Sequence, residues 1–314
     1  MKTSFVEVLE KQTDPNSNMS WSIIVSILLC LQFSSFSLLR SYFTDDTPTT
    51  TVLLHIEILK FIVSFVCSLK RLQHIFTRPY AIAVPAVCFI LTNIVSFWVV
   101  TDISATTYVM FLQLKIPMTC FVSYMILQSY YSSTQLFAIF LICISCVNIC
   151  NKSEVKNNVL ELWHIGGMLL EVILSALCSV YMQCIFDSDV SKLWLRNLEL
   201  SLLSIPFYVA ITLYHNASFQ CSLLGYGFAF LGGIGGILVG LMLTYCGAVE
   251  KTLVSAISLV VITVVEHILY ARTPKLSHLS FYTICIASVI LYSWEKLKLG
   301  KNEVTKPLLE EDKS

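Results

Sequence analysis

Two lysines stand where a lysine is costly. Lys60 in "HIEILKF" and Lys115 in "TYVMFLQLKIPMTCFV" interrupt long apolar runs. From Ala105 to Leu127, Lys115 is the only charged residue. A lysine at mid-membrane depth is expensive unless it faces protein or water, so such residues are functional candidates by default. Glu57 lies three residues before Lys60 on the same helical face, where the two can neutralise one another. No carboxylate lies within a turn of Lys115. Its charge therefore needs a partner from elsewhere, and an anionic ligand would serve. Tyr108, seven residues earlier, shares its face. Pro117 removes a helical hydrogen bond and can kink the segment, widening the space near the lysine.

Other polar groups are less pointed. Arg196 and Glu199 in "LWLRNLEL" can pair locally, and their nearness to a segment end allows snorkelling. Glu171 and Glu266 are single acids deep in apolar runs, fit either for protonated packing or for proton coupling. In "FLGGIGGILVG", Gly232, Gly236 and Gly240 recur every four residues, which lets another helix approach closely. Gly233 and Gly235 broaden that bare surface enough for a ligand to lie against the backbone.

Several chemistries find no support. No Gly-rich loop ending in GK[ST] is present, so nucleotide hydrolysis is not expected and no cofactor is implied. Cys143, Cys146 and Cys150 share a helical face but lack nearby His or acidic partners for a metal, and the 12 cysteines read as packing residues. No Ser or Cys has a His and an acid close in sequence. With 20 basic and 20 acidic residues, a nucleic-acid surface is not supported either.

The elements that must hold these residues are membrane spans. The 314 residues are 56% hydrophobic and only 13% charged, with mean hydropathy +0.76. Apolar runs long enough to cross a bilayer recur over 21–39, 52–69, 80–100, 105–127 and 134–150, then over 163–186, 193–214, 223–246, 253–271 and 279–294. The fold class predicted is an all-α integral membrane protein of about ten transmembrane helices in two five-helix halves. An odd number of spans per half would invert the second half relative to the first. The predicted organisation is a cytosolic tail (1–20), a first half (21–150), a lumenal linker (151–162), a second half (163–295) and a cytosolic tail (296–314). The first tail is polar and acidic, unlike a signal peptide. With the N-terminus cytosolic, twelve Lys and Arg fall on the cytosolic side against five opposite, which favours both termini in the cytosol. "NKS" at Asn151 and "NAS" at Asn216 then face the lumen. The polar C-terminal tail reads as disordered.

At these motifs the chain resembles the nucleotide-sugar transporters of the group that contains the CMP-sialic acid and UDP-galactose carriers. The matching stretches are "EILK", "TNIVSF", "TYVMFLQLKIPMT", "SVYMQ", "LWLRNLEL" and "LGGIGGILV". The resemblance implies that Lys60, Asn93, Tyr108, Lys115, Tyr181 and Asn197 line a central cavity, with Lys115 answering phosphate charge. Gly235, Gly236 and Lys251 complete the candidate substrate site. It also implies exchange of a nucleotide sugar for a nucleoside monophosphate, and the leading reading is a Golgi or ER antiporter for a pyrimidine nucleotide sugar, a UDP-sugar being preferred to a CMP-sugar. Two departures bear on the sugar and base. Relatives carry Glu-Lys where Gln183 and Cys184 stand, and "TYCGAVEKT" keeps Tyr245 and Lys251 but replaces the family's neighbouring lysine, Asp-Asn and glycine. A carrier of a non-nucleotide substrate and a non-transporting scaffold are the competing readings.

Overall fold

The computed structural model describes residues 15–42, 48–69, 72, 79–100, 111–150, 162–186, 190–269 and 276–311. Among them are ten α-helices: α1 Pro15–Tyr42, α2 Thr49–Ser68, α3 Pro79–Val100, α4 Lys115–Leu127, α5 Ser133–Cys150, α6 Leu162–Phe186, α7 Val190–Tyr214, α8 Leu223–Tyr245, α9 Ala248–Leu269 and α10 Leu276–Glu311. Each predicted span overlaps one of them. Among the described residues, six helices are long and apolar enough to cross a membrane by length and composition.

The apolar residues are arranged for a non-aqueous surround. On α5, Leu136, Phe137, Phe140 and Ile144 point outward, while Ala138, Ile142, Cys146 and Ile149 pack against Cys285, Val289 and Tyr292 of α10. Lipid tails are as apolar as leucine, so helix association rests on close packing of the smaller faces. A second core joins Ile82 and Ala86 of α3 to Ala176 and Val180 of α6, Leu193 and Leu200 of α7 and Leu243 of α8. A third joins Val25 and Leu29 of α1 to Met242 of α8 and Val254 of α9.

The most extensive helix pairings are α2 with α7, α5 with α10, α3 with α6, α1 with α8, α2 with α8, α4 with α6, α1 with α9, α4 with α9 and α3 with α7. All of them join the first five helices to the last five. Replacing each helix by the one five places along maps this set onto itself. Among the described residues the two halves of the chain therefore interdigitate, their most extensive packing being with each other.

Two details depart from the sequence reading. The final helix runs on to Glu311, through the tail expected to be disordered. Its 36 residues rise about 54 Å, well beyond the roughly 30 Å hydrocarbon thickness, so one end projects clear of the membrane. Second, the fourth span is not one continuous helix. Pro117 has no N–H to give the Gln113 carbonyl, and Ile116 N donates to it instead at 3.1 Å. A tight turn at Gln113–Leu114 results, and α4 starts at Lys115. The proline thus sets where the lysine stands: in the first turn of a helix that begins inside the span.

Candidate functional site

Five helices bring the ionic side chains together. On α2, Lys60 Nζ lies 2.9 and 3.0 Å from the two carboxylate oxygens of Glu57. Ser201 of α7 donates to the same carboxylate at 3.2 Å. The lysine stem lies across Gly236 of α8, where a Cβ would stand 2.9 Å from Lys60 Cδ. On α4, Lys115 Nζ reaches Glu171 Oε1 of α6 at 3.0 Å; the glutamate is 2% exposed and the lysine 23%. On α7, Arg196 Nη1 holds Glu199 Oε2 at 2.7 Å. That pair forms as the spacing predicts, but Glu199 is fully buried and does not reach toward the segment end.

Lys251 differs from these. It lies in the first turn and a half of α9, and its Nζ donates to Ser179 Oγ of α6 at 2.9 Å. Among the described residues, no carboxylate is within ion-pair distance of it. It lies within electrostatic reach of Lys115 and of Cys178, and Cys178 is in turn within reach of Lys60. Among the described residues, Lys60, Lys115 and Arg196 each have a carboxylate partner, whereas Lys251 has a hydroxyl and brings an excess positive charge.

The remaining candidates are distributed around this group. Asn197 is 3% exposed beside Gly240 of α8, and among the described residues its Nδ2 has no hydrogen-bond partner. An unsatisfied buried donor costs about 1–3 kcal/mol, so its retention marks a place where a ligand acceptor would be favourable. Asn93 of α3 donates to the Tyr208 hydroxyl of α7, which commits its amide to a bridge between helices. Tyr181 is half-buried on α6. A Cβ on Gly235 would stand 2.3–2.8 Å from the Gln32 amide of α1, the end of a flexible side chain that would have to swing aside. Tyr108 and the Asn151 sequon lie outside the described residues. Asn216 is exposed in the connection after α7.

Sequence reasoning missed the second partners. Glu171, Ser175 and Ser179 recur every four residues through the apolar α6, a polar stripe that could have indicated a face turned toward other polar helices. Gln183 was read only as a departure from a motif. Its Oε1 accepts from Ala248 N at 2.7 Å, capping α9 immediately after the turn at Gly247, whose φ of 116° favours glycine. Lys296 of α10 pairs with Glu250 and also donates to the Cys246 carbonyl, so the start of α9 is held from two sides. Among the described residues no group of His, Cys, Asp and Glu could hold a metal ion. A groove of about 500 Å³ between α4 and α5, lined by residues such as Pro117, Phe121, Leu136 and Phe140, carries none of the ionic groups.

Residues 18–293 match the family described as Nucleotide-sugar transporter. The chain belongs to that family. It is 24% identical to a UDP-galactose/UDP-N-acetylglucosamine transporter of Caenorhabditis elegans, over 92% of this chain and 86% of the relative. It is also 24% identical to a UDP-galactose transporter of Schizosaccharomyces pombe, over 86% of this chain and 87% of the relative. A solved crystal structure shares the fold with a TM-score of 0.70 at 11% identity, covering 89% of this chain and 99% of that one. The resemblance drawn from the motifs is therefore correct at the level of the family. Nucleotide-sugar transporters are carriers and not enzymes, which accords with a site made of paired charges and amides without a nucleophile–base pair in sequence.

Proposed function

We propose that this transporter carries a UDP-sugar from the cytosol into the Golgi or ER lumen and returns a nucleoside monophosphate in exchange. The observation that carries this reading is the excess cation at Lys251. A nucleotide sugar brings about two negative charges on its diphosphate, and burying them in a low-dielectric interior is unfavourable without cations. Lys251, answered only by a hydroxyl, and its neighbour Lys115 supply them. The relatives named for UDP-galactose support the uridine base and the hexose class.

In this reading Lys115 and Lys251 hold the phosphates, and Lys60 contributes a third cation through its seat on Gly236. Asn197 offers its unpartnered amide to the ligand, and Tyr181, Tyr108 and Asn93 line the same region. Gly235 and Gly236 keep the α8 backbone accessible. The self-mapping helix pairing supports two inverted five-helix halves, an arrangement suited to alternating access around a site at their interface.

The test is competition by UMP, CMP and GMP for binding to the purified transporter, together with Lys251→Met. UMP should compete best. The variant should fold and lose about 1.5–3 kcal/mol of monophosphate affinity, the size of a hydrogen bond to a charged group. A stable variant with unchanged affinity, or no competition by any monophosphate, would sink the proposal.

A further inference from the structure

We infer that Glu171 is an internal counter-ion that the ligand's phosphate displaces from Lys115, and that this exchange of partners sets both affinity and the return of the empty transporter. The inference rests on the phosphate role proposed above for Lys115. Three features of the pair support it. Lys60–Glu57 and Arg196–Glu199 join residues three apart on one helix, whereas Lys115–Glu171 ties two helices together. Those helices, α4 and α6, come from different halves of the chain.

The two partners also differ in mobility. Glu171 is 2% exposed near the middle of the continuous α6, so its carboxylate is fixed. Lys115 is 23% exposed, stands in the first turn of α4 after the break, and ends a long flexible stem. The ammonium can turn to a new partner while the carboxylate stays.

Two consequences follow from ordinary electrostatics. A buried cation stripped of its partner is strongly unfavourable, so Glu171 makes the ligand-free site tolerable at Lys115. For the same reason the ligand must displace Glu171, and its observed affinity is lower than its direct contact with Lys115 would give. Removing the carboxylate charge should therefore tighten ligand binding and hinder reorientation of the empty protein.

The experiment uses the full-length purified transporter with UMP as probe, thermal stability being measured on every variant. Glu171→Gln should bind UMP about tenfold more tightly. Glu171→Asp keeps the charge but withdraws it by one methylene, so it should fall between wild type and Gln. In reconstituted vesicles, the ratio of uptake into empty vesicles to uptake into UMP-loaded vesicles should be lower for Glu171→Gln than for wild type. A residue that merely supports the fold would weaken binding in both variants, and that result overturns the inference. If Gln fails to fold, the Asp variant alone decides: tighter binding supports the inference, equal or weaker binding ends it. The double variant Lys115→Met, Glu171→Gln separates the two claims. If it loses UMP affinity while the single Glu171 variants show no gain, the phosphate role of Lys115 stands and the counter-ion role falls. Unchanged affinity in the double variant removes both.

Discussion

A buried lysine is defined by what answers its charge, and the four cations of this site are answered in three ways. Lys60 and Arg196 have carboxylates on their own helices, Lys115 has one on a neighbouring helix, and Lys251 has a serine. This ordering changes what Lys115→Met should do. Read from the sequence, the substitution lowers the cost of burial and leaves a folded protein. With Glu171 at 3.0 Å, it also takes a cation away from a buried carboxylate. Breaking a buried pair by removing one partner costs about 3–5 kcal/mol, whereas replacing both partners is often neutral. Lys115→Met should therefore be markedly less stable to heat than the double variant with Glu171→Gln, as measured in detergent without ligand. Equal stability of the two would mean that the pair contributes nothing in the ligand-free state. The local pairs were legible because spacing of three residues puts side chains on one helical face. The Lys115–Glu171 partnership was not, since no local periodicity relates residues 56 apart. The sequence marked each as an unexplained charge, and only packing of α4 on α6 joined them.

At the scale of elements, α8 shows that glycines in one row need not have one role. A Cβ on Gly233 would stand 2.6, 3.2 and 3.3 Å from Leu59 Cδ2, Cγ and Cβ, atoms that cannot all swing aside. A Cβ on Gly236 would meet the stem of Lys60 at 2.9 and 3.1 Å, and a long flexible stem can move. Gly233→Ala should therefore lower stability by about 1–3 kcal/mol through overpacking with little change in ligand affinity once folded. Gly236→Ala should alter stability by under about 1 kcal/mol but shift the Lys60 ammonium from Glu57 and weaken monophosphate binding several-fold. Gly236→Leu should impair both. Thermal melts and titrations on the same preparations distinguish these effects; identical behaviour of the two alanine variants would show that the row serves packing alone. The four-residue period was visible in the sequence, but the difference between Gly233 and Gly236 depends on which α2 residue lies opposite each. The break before α4 was partly legible too. Pro117 predicts a lost hydrogen bond, and the structure shows that the loss is absorbed as a turn at Gln113–Leu114. The last helix shows the opposite failure. Beyond Trp294 the residues are polar and lack an apolar period, so only the helix-forming tendency of Lys, Leu and Glu pointed to continuation as far as Glu311.

At the scale of the whole molecule, the interdigitation of the halves limits what the chain can do in pieces. Each of the strongest helix pairings crosses from one half to the other, so the sequence boundary near residues 151–162 divides the chain without dividing its packing. The ten described helices each overlap a run visible in the hydropathy, and six of them are long and apolar enough to cross a membrane. The cross-pairing was not visible there, because a lipid-facing residue and a helix-facing residue can both be leucine. The parity of the count leads to a prediction about orientation. If all ten helices cross, an even number of passes returns the chain to its starting side, and twelve Lys and Arg against five assign that side to the cytosol. On that assignment α10, 36 residues long, would enter from the lumen and emerge on the cytosolic face, carrying Lys296, Lys298, Lys301 and Lys306 with it. Epitope tags at each terminus should both be stained in cells whose plasma membrane alone has been permeabilised. The Asn216 connection, lying between α7 and α8, should remain inaccessible until the internal membranes are opened as well. One protected and one accessible terminus would require an odd number of passes. The second half could then no longer be the inverted counterpart of the first, and the site could not lie between two such halves.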